Sequence, residues 1–142
     1  MIMKMRTLFF SKTGNAQMIS EKISRVNKCT SDQIPPAYPC ENEKVLFVCL
    51  EIDKKAPKQV VDFLRTLTPQ RAKNVAFCLL TKSGSRGIED LKELLAPTGV
   101  NAVENVFERQ LKGGLFKKAS ITEQDLADAE KWAADVIESL KD

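Results

Sequence analysis

Residues 6 to 20 read Arg-Thr-Leu-Phe-Phe-Ser-Lys-Thr-Gly-Asn-Ala-Gln-Met-Ile-Ser. A short apolar run stops at Ser11-Lys12-Thr13-Gly14-Asn15-Ala16, and apolar residues at helical spacing take over at once. The hydroxyls of Ser11 and Thr13 and the amide of Asn15 are hydrogen-bond donors. Gly14 permits close backbone approach and unusual dihedrals. The helix that follows offers unpaired N–H groups and the positive end of its dipole. Donors of this kind at a strand-to-helix junction predict a phosphate-binding turn, lined by the N–H groups of Lys12 to Ala16. The Lys12 side chain stands either toward the anion or in water. The same residues would also serve as a plain tight turn with a helix cap.

Other chemistries are poorly supplied. The chain has no histidine, which removes the usual general base near neutral pH and every Ser-His or Cys-His pair. No catalytic residue is therefore assigned. Cys29, Cys40, Cys49 and Cys78 form no C-x-x-C pair, and their spacing does not suit a four-cysteine zinc site, so no metal is expected. Cys49 and Cys78 lie within apolar runs and read as buried, reduced thiols, which fits a cytoplasmic protein. A Walker loop is absent. The net charge of +3 is too small, and aromatic residues at 6% are too few, to point to nucleic acid. No apolar stretch approaches membrane-spanning length. Met1 to Met5 run directly into the first apolar segment, so no secretory leader is expected.

The elements that must position the turn are legible as alternating strands and helices. Met5 to Phe10, Val45 to Leu50 and Val75 to Leu80 are nearly continuous apolar runs, as strands covered on both faces require. Ala102 to Phe107 is a weaker strand, and Cys29 to Ile34 a short edge strand. Ala16, Ile19, Ile23 and Val26 mark the first helix. Pro57 suits the first turn of a second, with Val60, Val61, Phe63, Leu64 and Leu67 following. Ile88, Leu91, Leu94 and Leu95 mark a third, stopped by Pro97 and Gly99. In the last, Thr122 to Asp125 resembles a capping box, and a stripe from Leu126 through Trp132 to Leu140 predicts a helix with Trp132 as a core anchor. Ser31 to Glu43, with Pro35, Pro36 and Pro39, reads as a surface loop. One domain over 1–142 is expected, an α/β fold with a mainly parallel sheet and helices on both faces. In such sheets ligands bind beyond the carboxyl ends of the strands. Three loops fall there: Ser11 to Ala16, Glu51 to Ala56 and Thr81 to Gly87.

With Ser11-Lys12-Thr13-Gly14-Asn15-Ala16 after the first strand, the chain resembles the flavodoxin-like family, whose phosphate loop reads T/S-x-T-G-N-T. The segment Pro57 to Leu64 is similar to the family's helix after the third strand. Gly84-Ser85-Arg86-Gly87 falls where the family has a loop near the flavin. The resemblance implies a doubly wound five-stranded sheet of order 2-1-3-4-5, bound FMN, and electron transfer to a redox partner protein rather than stand-alone enzymology. It implies a phosphate held by Ser11, Lys12, Thr13, Gly14, Asn15 and Ala16. The flavin ring would lie near Glu51, Ile52, Asp53 and Lys54 and near Thr81, Lys82, Ser83, Gly84 and Arg86.

The chain also departs from the family. Ala16 replaces a hydroxyl residue. The Glu51 to Ala56 loop holds neither aromatic nor glycine, and the Thr81 to Gly87 loop has no tyrosine, although Tyr38 stands in the proline-containing loop. Ile52 is the apolar residue left to face a ring. Lys54, Lys55, Lys82 and Arg86 make the expected mouth basic. As more than solvated surface charges, they would stabilise negative charge on a reduced flavin or attract an acidic partner. The missing aromatics leave a second expectation open, a flavodoxin-fold interaction module in which flavin binding is weakened or lost.

Overall fold

The computed structural model describes residues 3–52, 55–81, 87–111 and 120–141. Strand β1 (Met5–Phe10) leads into helix α1 (Asn15–Asn27), then β2 (Thr30–Gln33) and β3 (Glu43–Glu51). Helix α2 (Lys58–Arg65), β4 (Ala72–Thr81) and α3 (Gly87–Leu95) follow. Two short strands, β5 (Asn101–Ala102) and β6 (Phe107–Gln110), precede the terminal helix α4 (Glu123–Ser139). Among the described residues all strand pairs are parallel, in the order β2-β1-β3-β4, with β5 and β6 both on the outer side of β4. This is the expected 2-1-3-4-5 doubly wound sheet.

Apolar runs become central strands here because both faces are covered. In β3, Leu46, Val48 and Leu50 point into a core shared with Val60 and Leu64 of α2 and Leu91 and Leu95 of α3. Val45, Phe47 and Cys49 point the other way, against Ile19 and Ile23 of α1 and Trp132, Ala133 and Val136 of α4. Each fully buried large apolar side chain contributes about 1.5–3 kcal/mol. Cys49 and Cys78 are register partners, fully buried and unbridged, as expected of core thiols. Burial, together with the neighbouring Cys49, pushes the Cys78 thiol well above its ordinary range.

Element ends differ from expectation. Strand β3 begins at Glu43 rather than Val45, and β4 at Ala72 rather than Val75, because polar residues at the strand starts still complete the ladder. The edge strand is Thr30–Gln33, within the expected Cys29 to Ile34. The expected strand Ala102 to Phe107 is split. Four residues, 103 to 106, stand opposite only Ala76 and Phe77 of β4, so the chain bulges before pairing resumes at Phe107. Helix α4 secures that bulge: the Trp132 indole N–H donates to the Asn105 carbonyl at 2.8 Å. The Trp132 ring also meets Phe47 edge-on at 5.5 Å and Phe107 at 5.7 Å. The capping box of α4 is present. The Thr122 hydroxyl accepts from the Asp125 N–H at 3.1 Å, and the Asp125 carboxylate accepts from the Thr122 N–H at 2.8 Å.

On the other side of the sheet centre, Thr7, Ser20 and Ser31 join β1, α1 and β2 through their hydroxyls. The Ser20 hydroxyl donates to Thr7 Oγ1 at 3.0 Å and lies 2.8 Å from Ser31 Oγ. Helix α1 is thereby pinned to β1, which fixes where its N-terminus stands.

Trp132→Ala should destabilise the protein by about 3–5 kcal/mol, measured by urea unfolding followed by circular dichroism. Trp132→Phe should lose less but still measurably, because the Asn105 carbonyl is left without its donor. A Trp132→Ala loss below about 1 kcal/mol would contradict the anchoring role of this ring.

Candidate anion-binding site

The loop between β1 and α1 folds as a nest around an oxyanion, and the oxyanion is the Glu51 carboxylate. Glu51 is the last residue of β3, the strand that pairs with β1, so its side chain stands beside the loop that leaves β1. Oxygen Oε1 accepts the N–H of Lys12 at 3.1 Å, the N–H of Thr13 at 2.9 Å and the Thr13 hydroxyl at 2.8 Å. Oxygen Oε2 accepts the Ser11 hydroxyl and, at 3.1 Å, the N–H of Ala16. One carboxylate therefore satisfies two hydroxyls and three backbone donors.

Local chemistry explains why the loop closes this way. Gly14 is the N-cap of α1 with φ 93°, in the left-handed region, and a Cβ there would be strained. The N-cap residue offers no side chain to the helix; the carboxylate from β3 takes the Ala16 N–H instead and lies at the positive end of the helix dipole. The Ser11 hydroxyl oxygen also accepts the Gly14 N–H at 3.0 Å. Asn15 does not reach the anion through its amide. Its Nδ2 donates to Thr13 Oγ1 at 2.8 Å, and its Oδ1 accepts the Ile121 N–H at 3.2 Å, which ties the loop to the approach to α4. Asn15 thus orients the Thr13 hydroxyl and acts behind the nest. Ala16 contributes its N–H and a fully buried methyl group, and Lys12 its N–H, with the lysine exposed.

Two glutamates at opposite ends of β3 show what the nest does to a carboxyl group. Burial, the largest single influence on Glu51, pushes its carboxyl up. Hydrogen bonds from Ser11, Ala16 and Thr13 together outweigh it and hold Glu51 below the ordinary glutamate range. At Glu43 burial also pushes up, Lys4 and Arg6 pull down, and burial wins. Lys4 is 3.9 Å away, and Oε2 of Glu43 has no hydrogen-bond partner among the described residues. The strand and residue type are the same, so the donors make the difference.

The other expected ring-side residues fare variously. Asp53, Lys54, Lys82, Ser83, Gly84 and Arg86 lie outside the described residues. Ile52 packs into the core on the α2–α3 side, and its N–H donates to the Leu80 carbonyl at 3.0 Å, which keeps the chain along β4. Thr81 is buried, and its carbonyl accepts the Leu111 N–H at 2.6 Å. Lys55 is exposed. Tyr38 sits toward the opposite end of the sheet, where its carbonyl accepts from Arg6 at 3.1 Å. Arg6 precedes Ser11 by five residues, about 16 Å along an extended strand. An open depression of about 550 Å³ between β6 and α4 shares no residue with the nest. Its Arg109 is bonded to Asp128 at 3.0 Å and lies over the Phe107 ring. Among the described residues no group of acidic, cysteine or histidine side chains could hold a metal ion, and no helix is long and apolar enough to cross a membrane.

Sequence reasoning placed Glu51 at the ligand mouth but missed its role as the anion of the nest. The available signal was an acidic residue ending an otherwise apolar strand, with a donor-rich loop after the strand beside it.

Stability should depend on pH in opposite senses through these two carboxyls. The folded Glu51 carboxyl is depressed, so its contribution is complete above the unfolded value of about 4.3 and is lost as pH falls through its folded value. Wild type should therefore lose stability relative to Glu51→Gln on acidification. The folded Glu43 carboxyl is raised, so its contribution is complete below about 4.3 and is lost as pH rises through its folded value. Wild type should lose stability relative to Glu43→Gln toward neutrality. Urea unfolding of the three proteins across that range checks both signs, and parallel pH profiles for all three would refute them.

No protein-family model matches the chain, and no curated protein matches it by sequence. Solved structures do match. A flavodoxin from the domain Archaea superposes with a TM-score of 0.67 at 12% identity, covering 99% of this chain and 100% of that one. Oxidised flavodoxin 2 from Bacillus cereus gives 0.67 at 13% identity over 96% and 99% of the two chains. A mutant of flavodoxin from Pseudomonas aeruginosa gives 0.61 at 18% identity over 99% and 100%. Superposing on these flavodoxins over nearly its whole length, this chain has the flavodoxin-like fold.

Proposed function

We propose that this protein binds FMN through its phosphate at the Ser11–Ala16 nest and serves as an electron-transfer protein. The single observation that carries this is the convergence of five donors on one oxyanion at the carboxyl end of β1. The Glu51 carboxylate is a stand-in whose contacts give the number and direction of donors that an oxyanion would meet. Full-length superposition on flavodoxins supports the choice of FMN.

In this function Ser11 and Thr13 would hold the phosphate through their hydroxyls, and Lys12, Thr13 and Ala16 through N–H groups. Asn15 would hold the Thr13 hydroxyl in place, and the α1 dipole would favour the phosphate charge. Bound FMN supplies the electron transfer, and the protein's part is to hold it and exclude water. A redox partner protein is part of the same proposal.

A second function is favoured by the same carboxylate. Glu51 already satisfies the nest, and a phosphate beside it would meet a like charge, so an interaction module with weakened flavin binding fits the geometry. Titration of the protein with FMN, followed by flavin fluorescence with riboflavin as control, separates the two. Electron transfer through bound FMN requires saturable FMN quenching and much weaker riboflavin binding. Thr13→Val should then cost roughly tenfold or more in FMN affinity, since a hydrogen bond to a charged group contributes about 1.5–3 kcal/mol. Equal binding of FMN and riboflavin, or binding of neither, would refute a phosphate-held flavin.

A further inference from the structure

The nest of an ordinary anion site is open to the ligand. Here the donors are claimed by a side chain of the same protein, from a residue 35 to 40 positions away in sequence. Glu51 is not a bystander at the rim. Its two oxygens take the N–H groups of Lys12, Thr13 and Ala16 and both loop hydroxyls.

We propose that Glu51 is a tethered competing anion that sets the ligand selectivity of this loop. A phosphate monoester enters only by displacing the carboxylate, and the protein without that carboxylate binds phosphate more tightly. The proposal rests on the nest being an anion site, and it deepens the FMN function by naming the residue that opposes the phosphate.

Two physical effects act in the same direction. The first is mass action. A side chain fixed at the end of a paired strand competes at an effective concentration of about millimolar or more, so a free anion must bind well enough to outcompete it. The second is charge. Displaced or not, Glu51 stays near the loop because β3 holds its backbone against β1 and β4, and a doubly charged phosphate meets more repulsion than a singly charged oxyanion. The bulkier and more highly charged the ligand's anionic group, the more its binding depends on moving Glu51. No bond is made or broken in the exchange, and the helix dipole stays compensated in both states because one anion replaces another.

The test uses inorganic phosphate and FMN as separate probes on the wild type, Glu51→Ala and Glu51→Gln. Phosphate binding is read from the backbone amide shifts of Lys12, Thr13 and Ala16, and FMN binding from flavin fluorescence. Glu51→Ala should bind inorganic phosphate on the order of 10- to 100-fold more tightly than wild type. Glu51→Gln keeps the side-chain length without the charge, so it guards against a folding defect in the alanine variant, and it should show a smaller rise. Adding Thr13→Val to Glu51→Ala should remove much of the gain and so locate it in the nest. Phosphate affinity equal to wild type in both folded single variants would overturn the proposal. A rise for phosphate without any FMN binding would uphold the selectivity role of Glu51 while refuting the flavin function.

Discussion

The carboxylate of Glu51 is where three parts of the fold meet. It ends the central strand β3, closes the loop that leaves β1 and caps helix α1. Removing it would leave three backbone donors and two hydroxyls without that partner at a single junction of the sheet. A group with five hydrogen bonds and a helix dipole behind it stays ionised despite its burial. Glu43, at the other end of the same strand, has one oxygen with no partner among the described residues and is pushed toward its neutral form. The sheet's two ends are thus electrostatically unequal, and the end that stabilises negative charge is the one where doubly wound folds bind ligands.

That stabilisation depends on how rigidly the loop is held. The hydroxyls of Thr7, Ser20 and Ser31 pin α1 to β1 and β2. Asn15 carries the constraint from Thr13 across to Ile121 at the approach to α4. Helix α4 is in turn seated by Trp132 between Phe47 of β3 and Phe107 of β6. Donor directions in the nest are therefore fixed by packing on the α1–α4 face of the sheet. The α2–α3 face supplies a separate apolar core that takes in Ile52, the residue after Glu51.

Much of this was legible in the sequence, and the limits have physical causes. The runs at Met5 to Phe10, Val45 to Leu50 and Val75 to Leu80 announced strands covered on both faces, and the Thr122 box and Trp132 stripe announced α4. The donor-rich loop at Ser11 to Ala16 predicted a turn for a phosphate, and in the fold its donors meet the Glu51 carboxylate. What could not be read was which anion. The donors and Glu51 meet only through the parallel pairing of β1 with β3, and no local spacing encodes a contact between residues that far apart. The bulge at 103 to 106 was hidden for a similar reason. Val103 and Phe107 keep an apolar pattern consistent with one strand, while the break is secured from α4 by Trp132. Ile52 read as the apolar residue of a loop without aromatics; in the fold it is buried in the α2–α3 core, with its N–H bonded to Leu80.

In the proposed function a flavin phosphate takes the place of the Glu51 carboxylate at the Ser11–Ala16 nest. The most direct measurement is an amide-resolved titration of the wild-type protein with FMN. The Lys12, Thr13 and Ala16 N–H resonances, the three that now donate to Glu51, should shift together and saturate with the flavin fluorescence. Flavin binding that leaves those three resonances in place would refute the proposed function, because the ligand would then be held without the nest.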